Sequence, residues 1–308
     1  MRWDDFRRSD NVEDDREGGG GFGGGGGGFG LPMGGGGLGI GTVIVLGLIG
    51  WALGIDPSVL IGGAEMASRG GGSQYQQPYR QPNRRTGVPK DEAGDFVAAV
   101  LGNTEDTWSK VFQEGGQQYR APKLRLFAGS IQGGCGFAQA AMGPFYCPTD
   151  KRIYLDTSFF RAIETRFHGC QGKACKFSQA YVIAHEVGHH VQNLLGTLPK
   201  AQSEQRAAGD KVAANRIQVR VELQADCFAG VWANRSEQRK QFLDAGDIDA
   251  ALQTATAIGD DTLQKNTQGR VVPDAFTHGS AEQRKRWFMN GFTQGKLAAC
   301  NTFRAAQL

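Results

Sequence analysis

Residues 185–189 read His-Glu-Val-Gly-His, inside the longer run Tyr181-Val-Ile-Ala-His-Glu-Val-Gly-His-His190. No other stretch constrains the fold as tightly. On an α-helix, side chains four residues apart leave the same face one turn apart, so His185 and His189 are presented to one point. Glu186, about 100° round the helix, stands beside that point without sharing the face. Two neutral imidazoles at this spacing supply half of a tetrahedral Zn²⁺ site, which needs a third protein ligand and keeps a fourth position for water. The fold must therefore press a second, ligand-bearing element against this helix. The helix is expected over residues 178–195, with Ser178 as N-cap and Gly196 as its stop. Ile183, Val187, Val191 and Leu194 form its apolar stripe, with His185, His189 and Gln192 on the adjacent one. His190, turned away from His189, and His168, beside Gly169-Cys170, are expected to be structural.

The third ligand has to come from downstream. A metzincin pattern would need a histidine six residues after His189, but Leu195 stands there and excludes it. A carboxylate is expected instead, and Arg220-Val-Glu222-Leu-Gln-Ala-Asp226-Cys-Phe-Ala-Gly230 offers one in a strongly helix-forming stretch. Glu222 and Asp226 are again at i and i+4, on one face. Glu222 is the expected ligand. Asp226 is the expected acceptor for the far N–H of a ligand histidine, which fixes its tautomer and raises its basicity. Glu204 and Asp210 are rivals, but neither has an acidic partner at i+4. Zinc brings the pKa of a bound water toward neutrality, and Glu186 is placed to take its proton as general base.

Composition divides the chain. Residues 1–17 are charged and residues 18–37 almost entirely glycine; together they are expected to be a disordered tail, since glycine loses most entropy on ordering and buries nothing. Leu38–Ile55 is uncharged and apolar, and eighteen helical residues rise about 27 Å, just enough for a bilayer core. Trp51 suits an interfacial anchor and Asp56-Pro57 a stop. Residues 56–90 carry a Gly/Gln/Pro linker, and residues 91–308 are long enough for one domain with its own core. Helical apolar spacing at Asp95–Leu101 and Glu105–Phe112, with Trp108 as a core anchor, and few short strand signals predict a mostly helical α+β domain. Arg152-Ile-Tyr-Leu-Asp156 alternates as a short strand.

All six cysteines fall in this last domain, with no C-x-x-C. They are expected to form disulfides; of fifteen connectivities, short separation favours 135–147 and 170–175, leaving 227–300. Disulfides imply an oxidising compartment. With one membrane span, that orients the tail to the cytoplasm and the domain outside it. The formal net charge of +3 argues neither for nor against nucleic acid, and no basic-aromatic pattern supports it.

His-Glu-x-x-His followed by Glu-x-x-x-Asp resembles the gluzincin arrangement of zinc peptidases. Phe145-Tyr-Cys-Pro, Ile153-Tyr-Leu-Asp156, Ala184 to Gln192 and Thr277-His-Gly-Ser280 extend the resemblance to the bacterial neutral zinc metallopeptidase family, over roughly residues 90–300. It implies a zincin-like domain in which His185, His189 and Glu222 hold one Zn²⁺ and Glu186 is the base. The string Thr277-His278-Gly-Ser-Ala-Glu-Gln-Arg284 is similar to the Thr-His-Pro…Arg segment of membrane-associated gluzincins, where both basic residues lie near substrate. The implied roles are stabilisation of the oxyanion by His278 and substrate binding by Arg284, although Gly279 stands where that segment has proline. The competing reading of His278 is a loop histidine capping the next helix. In gluzincin-like folds an edge strand near the zinc pairs with extended substrate; Ile153–Asp156 is a candidate for it, with core packing the default reading of that segment.

The sequence thus leads to a single-pass, membrane-anchored zinc metalloendopeptidase of a bacterial inner membrane, its domain periplasmic and its substrates envelope peptides or proteins. A zinc-bearing scaffold or chaperone of the envelope is the alternative, and the intact Glu186 argues against it.

Overall fold

Residues 1–16 and 85–308 are described by the structure, a computed structural model. Its sheet is built from β1 (Val12–Asp14), β2 (Arg85–Thr86), β3 (Lys123–Phe127), β6 (Phe145–Cys147) and β7 (Arg152–Asp156), in the order β2-β1-β3-β7-β6. The three central strands are parallel, while β2 and β6 run antiparallel at the two edges. Alternation sorts the side chains. Val12, Leu124, Leu126, Ile153 and Leu155 join the main core under the helices, and Phe127, Cys147 and Tyr154 enter a smaller cluster on the other face. That cluster is covered by the hairpin of β4 (Ser130–Gly133) and β5 (Gly136–Gln139). The Cys135–Cys147 disulfide fastens the hairpin to β6.

Two expectations are corrected here. Arg152–Asp156 is a core-packed strand, as its default reading has it, and the edge placement is what fails, since it is bonded to both β3 and β6. Ile153, Tyr154 and Leu155 are each buried to 1% exposure, as a strand covered on both faces requires. The edge belongs to Phe145–Cys147. The second correction concerns residues 1–16, which are not a tail: β1 lies between β2 and β3. The charges that made this segment look disordered are partnered. Ser9 and Asn11 donate to Glu105, Arg7 and Arg8 pair with Glu105 and Asp95, Glu13 pairs with Lys123 and Arg152, and Asp15 with Arg125. Residues 1–16 therefore belong to the same folded unit as residues 85–308. The apolar segment 38–55 lies outside the described residues, and among those described no helix is long and apolar enough to cross a membrane.

Helices dominate the rest, as expected for an α+β chain. The two predicted pieces fuse into α1 (Glu92–Glu114), capped by Asp91, with Trp108 fully buried. After α2 (Ser158–Thr165) come α3 (Cys175–Leu194), α4 (Thr197–Ala207), α5 (Lys211–Lys240), α6 (Asp247–Ala257), α7 (Asp260–Gln268) and α8 (Ala281–Gln294). α3 starts three residues earlier than Ser178 predicts, because the Cys170–Cys175 disulfide and a 3₁₀ turn at Gly172–Ala174 lead into it. Ser178 is buried inside the helix. Gly196, at φ 75°, ends it as expected. α5 is the longest helix among the described residues and packs between α3 and α8. Its first turn is capped by Asp210, whose side chain accepts from Ala213 N, so that rival ligand is spent; Glu204 is exposed and pairs with Lys200. The third disulfide, Cys227–Cys300, ties the middle of α5 to the C-terminal segment.

Candidate metal centre

α3 presents His185 and His189 on one face, and α5 crosses that face closely enough to bring Glu222 to both. The crossing depends on Gly188, between the two histidines: a Cβ there would lie 2.9 Å from the backbone oxygen of Ala225. Glu222 Oε2 is 3.2 Å from His185 Nε2 and 3.4 Å from His189 Nε2. A tetrahedral ion about 2.05 Å from each donor sets donors about 3.3 Å apart, so the separations match an ion held between them. The three donor atoms all lie within 4.8 Å of one another. A second cluster, Glu164 with Cys170 and Cys175, has its thiols consumed in a disulfide.

The outer nitrogens of both histidines are engaged, which frees the inner ones as ligands. Asp226 Oδ1 accepts from His185 Nδ1 at 2.7 Å, the partnership expected from sequence. His189 Nδ1 lies 2.9 Å from Gln192 Oε1. The Gln192 amide nitrogen already donates to Val221 O and Gln224 Oε1, so its oxygen is the acceptor. Gln218 donates to the second Glu222 oxygen at 2.7 Å, and Tyr181 OH donates to Asp226 at 2.6 Å. Sequence reasoning missed Gln192, Gln218 and Tyr181 in these roles. Their signal was spacing alone: three after His189, four before Glu222, four before His185.

Charge at the centre is set by burial and by these carboxylates. Burial disfavours the His185 imidazolium, but Asp226 and Glu222 outweigh it and push its pKa up to about 10. His189 is raised in the same way, by Glu222 against burial. Glu222 is held well below the usual range, the cationic histidines overcoming its burial. A site that attracts protons so strongly attracts a divalent cation for the same reason, and the cation displaces them. Glu186, 7% exposed, has its pKa raised by burial, with His185 and His189 pulling it back. That moves a carboxyl toward the range a general base needs.

His278 reaches the same cleft. Asp260 accepts the backbone N–H groups of Thr277, His278 and Gly279 at 2.6, 2.6 and 3.0 Å and so fixes the loop. Its other oxygen is 3.5 Å from His278 Nδ1. Burial disfavours a charged His278, but Glu222 and Asp260 raise its pKa, so it can donate into the cleft. Ser280, not His278, caps α8. Gly279 sits at φ 92° and donates its N–H; proline could do neither, so the loop departs from the Thr-His-Pro pattern.

Arg284, expected to bind substrate, borders the cleft and also supports Asp226. It is 3% exposed, and its Nε and Nη2 donate to the two Asp226 oxygens at 2.8 and 3.0 Å. Nη1 and Nη2 also donate to Ile258 O and Tyr181 OH. Most of its donors are spent on Asp226 and Tyr181 behind His185. His190, also expected to be structural, accepts from Tyr146 OH and donates to Arg120 O, and so braces β6 against α3.

His185, Glu186, His189, Glu222, His278 and Arg284 line a cleft of about 620 Å³. Phe145 and Tyr146 of β6, Phe159, Phe167, Leu198 and Leu263 give it apolar walls, and Gln202, Gln205 and Gln264 add neutral amides.

The fold and centre define a helical α+β protein with a buried His-His-Glu donor set and an adjacent free carboxylic acid. Comparison with known proteins agrees: residues 1–303 match the family described as "Putative neutral zinc metallopeptidase", and the chain belongs to that family. It is 46% identical over 303 residues to the uncharacterized protein YpfJ of Escherichia coli K12, covering 98% of this chain and 99% of that one. It is 41% identical over 266 residues to the uncharacterized protein Mb2605 of Mycobacterium bovis, covering 83% and 85%. No solved structure matches.

Proposed function

We propose that this protein is a zinc-dependent metalloendopeptidase that cuts polypeptides bound in extended form along the β6 edge. The observation that carries the reading is Glu186: an intact, buried carboxyl beside a converged His185-His189-Glu222 set, in a cleft walled by β6, a sheet edge among the described residues. A zinc ion held by the three ligands would lower the pKa of a bound water and polarise the scissile carbonyl. Glu186 takes the proton of the attacking water and returns it to the leaving amine. His278 donates to the developing oxyanion. Phe145–Cys147 offers main-chain pairing, which binds peptide with little sequence preference. Three disulfides support an oxidising, extracytoplasmic location, with cell-envelope proteins as substrates.

The test is Glu186→Gln, which keeps size and hydrogen bonding but cannot take the proton. Zinc should remain at one per chain while peptide hydrolysis falls at least about 10²-fold. If envelope phenotypes survive this change and vanish with His185→Ala, zinc serves architecture and the protein is a scaffold.

A further inference from the structure

The ladder around β1 decides something the cleft does not. β1 pairs with β3 through Val12↔Leu124, Glu13↔Arg125 and Asp14↔Leu126, and with β2 through Asp14↔Arg85. Neighbouring strands lie about 4.8 Å apart, so Asp14 and Arg85, partners in the ladder, sit side by side. The join is buried as a core is: Phe6, Ser9, Val12, Glu13 and Asp15 are all at most 5% exposed. Gly102 of α1 lets the segment lie flat, since a Cβ there would fall 2.2 Å from Arg7 O.

We infer that residues 1–16 and 85–308 occupy the same side of any membrane, so a single crossing between them does not fit the sheet. Eighteen helical residues cross a bilayer core once, and one crossing would put β1 opposite the sheet that contains it. A second crossing has no apolar run of that length between residues 17 and 84. A strand exchanged between two copies leaves the conclusion intact, because both copies still need β1 on the domain's side. With the three disulfides placing the domain outside the cytoplasm, the N-terminus is outside as well, which reverses the orientation a single span implies. In the order β2-β1-β3-β7-β6, β1 and β2 lie three and four strand spacings, about 14 and 19 Å, from the cleft edge. The inference stands whether or not the protein is a peptidase.

Full-length chains carrying Asp10→Cys or Lys110→Cys test it. Both positions are exposed, and the native chain has no free thiol. A membrane-impermeant maleimide is added to intact cells and then to lysed ones. Both positions should label before lysis, to the same extent. Labelling of one only before lysis and the other only after would overturn the shared face. Protection of both until lysis would overturn the extracytoplasmic placement. A second pair, Asp5→Cys and Lys240→Cys, also exposed, repeats the reading should either first variant fail to accumulate.

Discussion

Arg284 grips Asp226 with two N–H groups at 2.8 and 3.0 Å, and Asp226 in turn accepts from the outer nitrogen of His185 at 2.7 Å. A residue fifty-eight positions away in sequence thus controls how a metal ligand is oriented. The carboxylate is wholly buried, so its charge is tolerable only because Arg284, His185 and Tyr181 surround it.

Arg284→Met should therefore act on the metal before it acts on substrate. Leaving Asp226 buried without its fork costs about 3–5 kcal/mol of stability. Loss of His185 support should lower zinc affinity about 10–100-fold. Arg284→Lys restores charge without the planar fork and should recover only part of both. Competition with a zinc chelator and thermal melting measure the two effects. A raised KM with unchanged zinc affinity would return Arg284 to the substrate.

Gly188→Ala tests the helix crossing. The added methyl meets a backbone oxygen, which cannot rotate away, so α3 and α5 must separate. Overpacking of this kind costs about 1–3 kcal/mol, and the separation draws Glu222 away from both histidines. Zinc content of the purified variant should drop while its far-ultraviolet circular dichroism stays that of the parent. Full zinc occupancy would mean the crossing has slack.

The centre was far more legible in sequence than its surroundings, because helical spacing is a local rule. His185, Glu186, His189, Glu222 and Asp226 sit where i, i+4 arithmetic puts them. Residues 1–16 were misread for the opposite reason. Their strand is short and charged, and only partners more than eighty residues away, such as Asp95, Glu105 and Arg125, make it foldable. The edge strand was misplaced by a single neighbour, since alternation identifies a strand but not its rank in a sheet. The role of Arg284 was hidden because a guanidinium facing substrate and one facing a buried carboxylate look alike in sequence.

Metal-free protein should be most stable near pH 6.5. His190 is buried, and burial holds its pKa down to about 4 despite the Arg120 carbonyl, against about 6.5 unfolded. Between those values the unfolded chain binds the extra proton, so stability rises with pH there and is fully present above about 6.5. The loss on acidification amounts to about 3 kcal/mol. His185, His189 and His278 are raised instead. Their contribution is full below about 6.5 and is lost as pH climbs, for His185 toward about 10. Urea melts from pH 5 to 9 should give a dome, and His190→Gln should flatten only its acid side. A monotonic profile would contradict both assignments.

Two disulfides near the site should fail in different ways. Cys227 follows Asp226 directly, and the bond to Cys300 closes a separation of 73 residues, a constraint worth about 4 kcal/mol on the chain-entropy account. The same C-terminal segment supports His189, because Cys300 O accepts from Gln224, whose side chain accepts from Gln192, the partner of His189. Replacing Cys227 and Cys300 by serine should lower both the melting temperature and zinc affinity. Cys135–Cys147 instead anchors the hairpin to β6, the cleft edge, and touches no ligand. Replacing that pair should leave zinc bound and raise KM for peptide, since the strand proposed to pair with substrate is loosened while the histidines are not. Zinc titration and steady-state kinetics on the two variants separate the cases. Zinc loss from the Cys135–Cys147 variant, or full zinc affinity without Cys227–Cys300, would show that support for the metal runs by another route.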